Sequence, residues 1–203
     1  AGLYRTNLAD TITPPSNVSL YGDLSSVGFY LIGIRGYHIF PEDRYRLNYK
    51  LYFYSFSSKF WGIGYDNAIK ESNETKYKRL QAKVEASFMF RLTDNLFAGP
   101  SGQFSFINGK NVTDLSLWDG QSMRTKNYGV GATVYYDSRD NINNAFKGYF
   151  FSLEQKFYPR FLWNHYAFSS TELTASGYHR VWKGGVVATQ IHGMLTYGNT
   201  PWG

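Results

Sequence analysis

The chain of 203 residues contains no cysteine, which removes disulfides, thiolate metal sites and cysteine nucleophiles together. Long hydrophobic runs are missing as well. The most apolar stretch, residues 27–34, is far shorter than the roughly 20 residues a membrane-spanning helix needs, and mean hydropathy is −0.39. Acid is scarce relative to base, with 15 Asp and Glu against 21 Lys and Arg and a formal charge of +6. The basic residues sit at alternate positions rather than in one patch, which argues against a nucleic-acid partner. The four histidines, His38, His165, His179 and His192, have no metal-ligand spacing. No Ser/His/Asp set stands out in the order of residues, although sequence separation alone does not exclude a triad. The expectation is a protein that is not an enzyme and carries no cofactor or metal. No composition shift or linker divides the chain, so residues 1–203 read as one domain. No signal peptide is visible at its start, and the missing initiator Met implies a processed or trimmed beginning.

What the chain has in abundance is aromatic residues and alternation. Tyr, Phe and Trp make up 19% of it, side chains whose apolar body and polar tip suit membrane interfaces. In the stretch RYRLNYKLYF, Arg44, Arg46, Asn48 and Lys50 share one parity, while Tyr45, Leu47, Tyr49, Leu51 and Phe53 share the other. That period of two belongs to a strand with one wet and one apolar face. The pattern recurs from Arg79 to Leu92, where Leu80, Ala82, Val84, Ala86, Phe88 and Phe90 oppose Arg79, Gln81, Lys83, Glu85, Ser87 and Met89. It returns at 127–137, with Tyr128, Val130, Ala132, Val134 and Tyr136 on the apolar side. A soluble sandwich would bury the apolar face against a second sheet; an outer-membrane barrel would turn it to lipid.

Further strands are expected at about 18–24, 27–37, 60–66, 95–107, 148–158, 167–180 and 185–198, giving on the order of ten. Short links at Ser25-Ser26, Ser57-Ser58, Thr93-Asp94 and Lys183-Gly184 alternate with longer ones at 38–43, 67–76, 108–126 and 160–166, and only 138–147 breaks the rule. Such asymmetry is typical of barrels with tight periplasmic turns and longer outer loops. Gly129 and Gly131 lie inside a strand, so they form no nucleotide loop; facing the lumen, they are expected to leave room for an inserted loop.

Residues 129–148, GVGATVYYDSRDNINNAFKG, resemble the bacterial surface antigen family, the superfamily of BamA and TamA, in which a strand commonly ends in Tyr-Asp-Ser/Thr-Arg-Asp-Asn before a turn and a glycine. The matching positions are Tyr136, Asp137, Ser138, Arg139, Asp140, Asn141 and Gly148. The family often has Pro-x-x-Gly where this chain has Ala145-Phe146-Lys147-Gly148. The pieces SNVSLYG, SKFWGIGYD and YGNTPW extend the resemblance over most of the chain, the last being similar to the approach to the family's long sixth outer loop. The resemblance implies an all-β fold, an antiparallel transmembrane β-barrel of which about ten of sixteen strands are present, without POTRA domains and without the closing strands. It implies a bacterial outer-membrane protein that assists insertion, assembly or translocation of other proteins, with outer-membrane lipids, client outer-membrane proteins and accessory lipoproteins as partners. A passive pore or structural surface antigen of the same fold is the alternative. Asp137 and Arg139 are expected on one strand face as a lumenal charge pair. Asp140 and Asn141 are expected in the turn.

Overall fold

The computed structural model describes residues 1–6, 10, 13–26 and 28–202. Among them, ten strands form one sheet whose spatial order is the order in the chain. They are β1 (Gly2–Tyr4), β2 (Ser16–Leu24), β3 (Tyr30–Ile39), β4 (Tyr45–Phe60), β5 (Thr75–Arg91), β6 (Leu96–Lys110), β7 (Arg124–Asp137), β8 (Gly148–Tyr158), β9 (Phe168–Trp182) and β10 (Gly185–Gly198). Every neighbouring pair is antiparallel, and β1 and β10 do not pair with each other. The sheet is thus an open section of barrel wall, with no helix long and apolar enough to cross a membrane.

Pairing register follows from the alternation. Between β4 and β5 the rungs Tyr45↔Phe90, Leu47↔Phe88, Leu51↔Val84 and Phe53↔Ala82 lie on one face, and Arg46↔Met89, Lys50↔Glu85 and Tyr52↔Lys83 on the other. A slip of one residue would move the charges of one strand to the apolar side, so the register is strongly specified. The sheet also curls toward its charged face. Arg46 on β4 reaches Asp137 on β7 at 3.5 Å, and Lys156 on β8 reaches Glu85 on β5 at 3.5 Å. Three strand spacings amount to about 14 Å in a flat sheet, more than these side chains can bridge. The concave face is therefore the lumen. The convex face carries exposed Leu51, Phe53, Val84, Val130, Val134, Phe151 and Leu153.

Both ends of that apolar band are aromatic. At one, Phe40, Tyr45, Phe88 and Phe90 pack edge to face or stacked, with His38 and Tyr4 beside them. At the other, Phe104 meets Tyr128, and Tyr128 meets Trp163. Girdles of this kind mark the two membrane interfaces of a barrel.

The expected strand at 60–66 does not exist. Ser57 and Ser58 lie inside β4, which continues to Phe60, and the chain then enters a loop holding the short helix α1 (Tyr65–Ala68). Because each false turn inverts the direction of everything before it, the correction also moves the upstream links. The link from β2 to β3 joins the long loops 61–74, 111–123 and 159–167 at one end. Residues 40–44 join 92–95, 138–147 and 183–184 at the other. The short β1 was not anticipated, and Val27, placed at a strand start from sequence, lies outside the described residues. Gly129 leaves no vacancy: a Cβ there would stand 2.6 Å from the ring of Tyr158, which itself stacks on Phe168 at 4.1 Å. The ring fills the space that the missing side chain leaves, a device that keeps a glycine in a strand packed.

The native absence of cysteine makes single-cysteine labelling direct. With spin labels at Val134, Leu153, Ser152 or Ser87 in bilayers, Val134 and Leu153 are expected to collide with lipid-soluble oxygen and Ser152 and Ser87 with a water-soluble nickel chelate. Equal exposure of both sets to the chelate would refute the two-solvent assignment.

Candidate functional site

The residues of the strand-end motif divide between three surroundings. Tyr136 is on the convex face and 40% exposed, whereas Asp137, the next residue, turns into the lumen with its side chain 3% exposed. Arg139 lies two residues on and returns to it with both arms of its guanidinium. Nε donates to Asp137 Oδ1 and Nη2 to Oδ2, each at 2.8 Å, the paired geometry that makes Arg–carboxylate contacts specific.

A second arginine joins them from across the sheet. Arg46 forks onto Asp43, Nε to Oδ1 at 2.7 Å and Nη2 to Oδ2 at 2.6 Å, and approaches Asp137 at 3.5 Å. Its guanidinium lies 4.0 Å from the centroid of Phe97, and that of Arg139 lies 4.7 Å from Phe150. Met89, Phe97 and Tyr135 form the buried apolar floor, with Phe150 packed against it. Two cations, two carboxylates and aromatic faces thus compensate one another where water is largely excluded.

Beyond Arg139 the chain makes a turn held by side chains. Asp140 Oδ1 accepts the backbone N–H groups of Phe146 at 2.9 Å and Lys147 at 3.2 Å. Asn141 Oδ1 accepts those of Asn143 and Asn144 at 2.9 and 3.1 Å. Arg139 Nη1 donates to the carbonyl of Ile142 at 3.2 Å, and Tyr37 on β3 donates its hydroxyl to Asn143 at 2.7 Å. Gly148 ends the turn with φ +108°, and a Cβ there would stand 2.3 Å from the Ser138 carbonyl. Only glycine fits that backbone.

The backbone donors, Phe146 first, lower the Asp140 pKa. For Arg139, burial works against the charge, but the hydrogen bonds and attraction of Asp137 outweigh it and raise the pKa.

Higher in the lumen a second network crosses the sheet. Lys156 pairs with Glu154 at 2.6 Å and Glu85 at 3.5 Å and donates to Gln103 at 3.1 Å, while Lys83 holds Glu85 at 2.8 Å. Between the networks lies a cavity of about 290 Å³ bordered by Tyr37, Arg46, Asn48, Thr133, Asp137 and Glu172. Toward the short-link end, a vestibule of about 590 Å³ opens among Asp43, Asp94, Asn95, Asp140 and Asn143. At the long-loop end, Trp202 turns back into the lumen mouth. It donates its indole N–H to the Ser122 carbonyl at 2.7 Å and packs with Phe60, Tyr77 and Trp118.

Sequence reasoning located Asp137, Arg139, Asp140, Asn141 and Gly148 but not their partners Arg46, Asp43, Tyr37 and Asn143, nor the Lys156 network. Arg46 and Glu85 were visible only as members of a wet face. No group of three or more His, Asp or Glu that could hold a metal occurs among the described residues. His192, on the lumenal face of β10, lies 3.9 Å from Glu172 and 3.1 Å from Thr174 Oγ1.

Asp137→Ala leaves the buried Arg139 without a carboxylate, while Arg46 keeps Asp43, and is expected to cost about 3 kcal/mol, against less than the sum of the singles when Arg139→Ala is combined with it. Urea titration of the folded barrel in detergent reads this, and strict additivity would show that the pair does not interact. Asp140, with a lowered pKa, stabilises the turn fully above its unfolded value of about 3.9 and loses that contribution as pH falls through its lower folded value. Hydrogen exchange at the Phe146 and Lys147 amides, corrected for intrinsic rates, should therefore accelerate on acidification below about pH 4. In Asp140→Asn that acid-dependent step should be missing.

A family model described as the Omp85 superfamily domain matches residues 37–201. No curated protein and no solved structure matches the chain. The matched span runs from the end of β3 through β10 and contains both charge networks. With an antiparallel wall that separates lipid from a charged lumen along that span, the chain belongs to the Omp85 superfamily, a family of outer-membrane proteins of protein assembly and transport.

Proposed function

We propose that this protein acts at the bacterial outer membrane as a barrel of the BamA/TamA type, assisting the insertion, assembly or translocation of other proteins without an enzymatic step. The observation that carries this reading is the Omp85 match across residues 37–201. In such a role the paired charges of the lumen keep the wall rigid and wet. A client strand is then received by β-augmentation at a strand edge, where main-chain hydrogen bonds supply affinity. Client outer-membrane proteins, accessory lipoproteins and outer-membrane lipids are the partners this reading calls for.

The water-lined wall with its charged side chains also suits a passive pore, the second reading, because fold alone does not decide function. The two separate in reconstitution. The full-length protein in liposomes is expected to speed the folding of a client barrel and to show small, flickering conductance in planar bilayers. Unchanged client folding together with a stable wide conductance would overturn the assembly role in favour of the pore.

A further inference from the structure

The convex face carries a belt of cations at the long-loop end that the assembly role does not use. Lys59 and Lys76 are paired rungs of β4 and β5, and Lys78 and Lys110 are paired rungs of β5 and β6. Arg124 sits opposite Asn108, and Lys126 opposite Phe106, between β6 and β7. All six share the parity of Leu80, Ala82, Phe104 and Tyr128, the face assigned to lipid. At about 4.8 Å between strands and about 7 Å between same-face residues, they spread over roughly 14 Å across the strands and roughly 20 Å along them.

Lys59 is matched by Glu74 at 2.9 Å. Lys76, Lys78, Lys110, Arg124 and Lys126 have no carboxylate within 4.0 Å among the described residues. The loop acids nearby include Asp114, which is occupied with Ser116 at 2.7 and 2.9 Å. Like charges placed directly across a strand pair destabilise it, so Lys78↔Lys110 is a local conflict that a bound anion would relieve. At the opposite rim two of the cations come with acids, Arg44 with Glu42 at 2.8 Å and Arg91 with Asp94 at 3.2 Å.

The belt also sits at the right height. Strands β4 and β5 have 16 and 17 residues, and at about 3.3 Å per residue and a tilt near 45° they rise about 37 Å, beyond a hydrocarbon core of about 30 Å. Their last residues before the long loops therefore stand at headgroup level. Beside them a cleft of about 300 Å³ is bordered by Arg124, Lys126, Trp163, His165 and Tyr166, where aromatic faces could receive a sugar ring.

We propose that this belt binds the phosphorylated headgroup of an outer-leaflet glycolipid, with the lipid's acyl chains lying on Leu80, Ala82 and Phe104 below. The inference rests on the outer-membrane reading. It is tested with the full-length protein in detergent, using native mass spectrometry to compare retention of lipid A with that of its dephosphorylated form. A preference of at least about tenfold for the phosphorylated lipid is expected, falling to near unity in K78Q/K110Q/R124Q and unchanged in K147Q/R180Q/K183Q, which removes equal charge from the other rim. Heat-modifiable gel migration confirms that each variant is folded. Equal retention of both lipids, an unchanged preference in the first variant, or complete displacement by inorganic phosphate would overturn the proposal. If the protein inserts into bilayers and yet shows no preference, this inference alone falls; if it does not insert, the outer-membrane reading falls with it.

Discussion

Backbone hydrogen bonding in hydrocarbon is the constraint from which the rest of this architecture follows. A chain without an apolar helix can cross a bilayer only if each strand satisfies its N–H and C=O groups on neighbours, and the meander does so for the inner strands β3 to β9 in the simplest order. Strand geometry then sends successive side chains to opposite solvents. Alternation in the sequence, register in the sheet and the split between lipid face and lumen are three consequences of that one requirement.

Curling the sheet makes the lumen a place where charges meet that are far apart in sequence. Asp137 is the centre of this: nearly buried, its carboxylate is gripped by both arms of Arg139, and Arg46 stands close by over Phe97. A lone carboxylate there would be expensive, and either arginine alone over the Met89, Phe97 and Tyr135 floor equally so. The arrangement ties β4, β7 and the 138–147 turn into one unit, and Tyr37 links β3 to the same turn through Asn143. Lys156 does a similar job one level higher, drawing β5, β6 and β8 together.

Reading the sequence succeeded where a signal repeats locally and failed where it does not. The runs 44–53, 79–92 and 127–137 declared both structure and facing, because each residue's side is settled by its immediate neighbours. The Ser57-Ser58 pair misled, since serine is common in turns but is equally at home on a strand; Ser55 is almost fully buried in β4. Gly129 misled for a different reason. A glycine on a lumenal face looks like free volume until the cross-strand ring of Tyr158 is placed over it.

That the protein is made of strands with one wet and one apolar face, where the motif 136–148 lies and which residues end β7 are all legible in the order of residues. These depend on separations of a few residues, over which the covalent chain dictates geometry. Which end of the wall each loop occupies, which distant cations neutralise Asp137 and Glu85, and that Lys78 and Lys110 face each other become visible with the folded sheet. Those facts depend on register and curvature, which emerge when every strand has paired with its neighbours and are encoded in no single stretch of the chain.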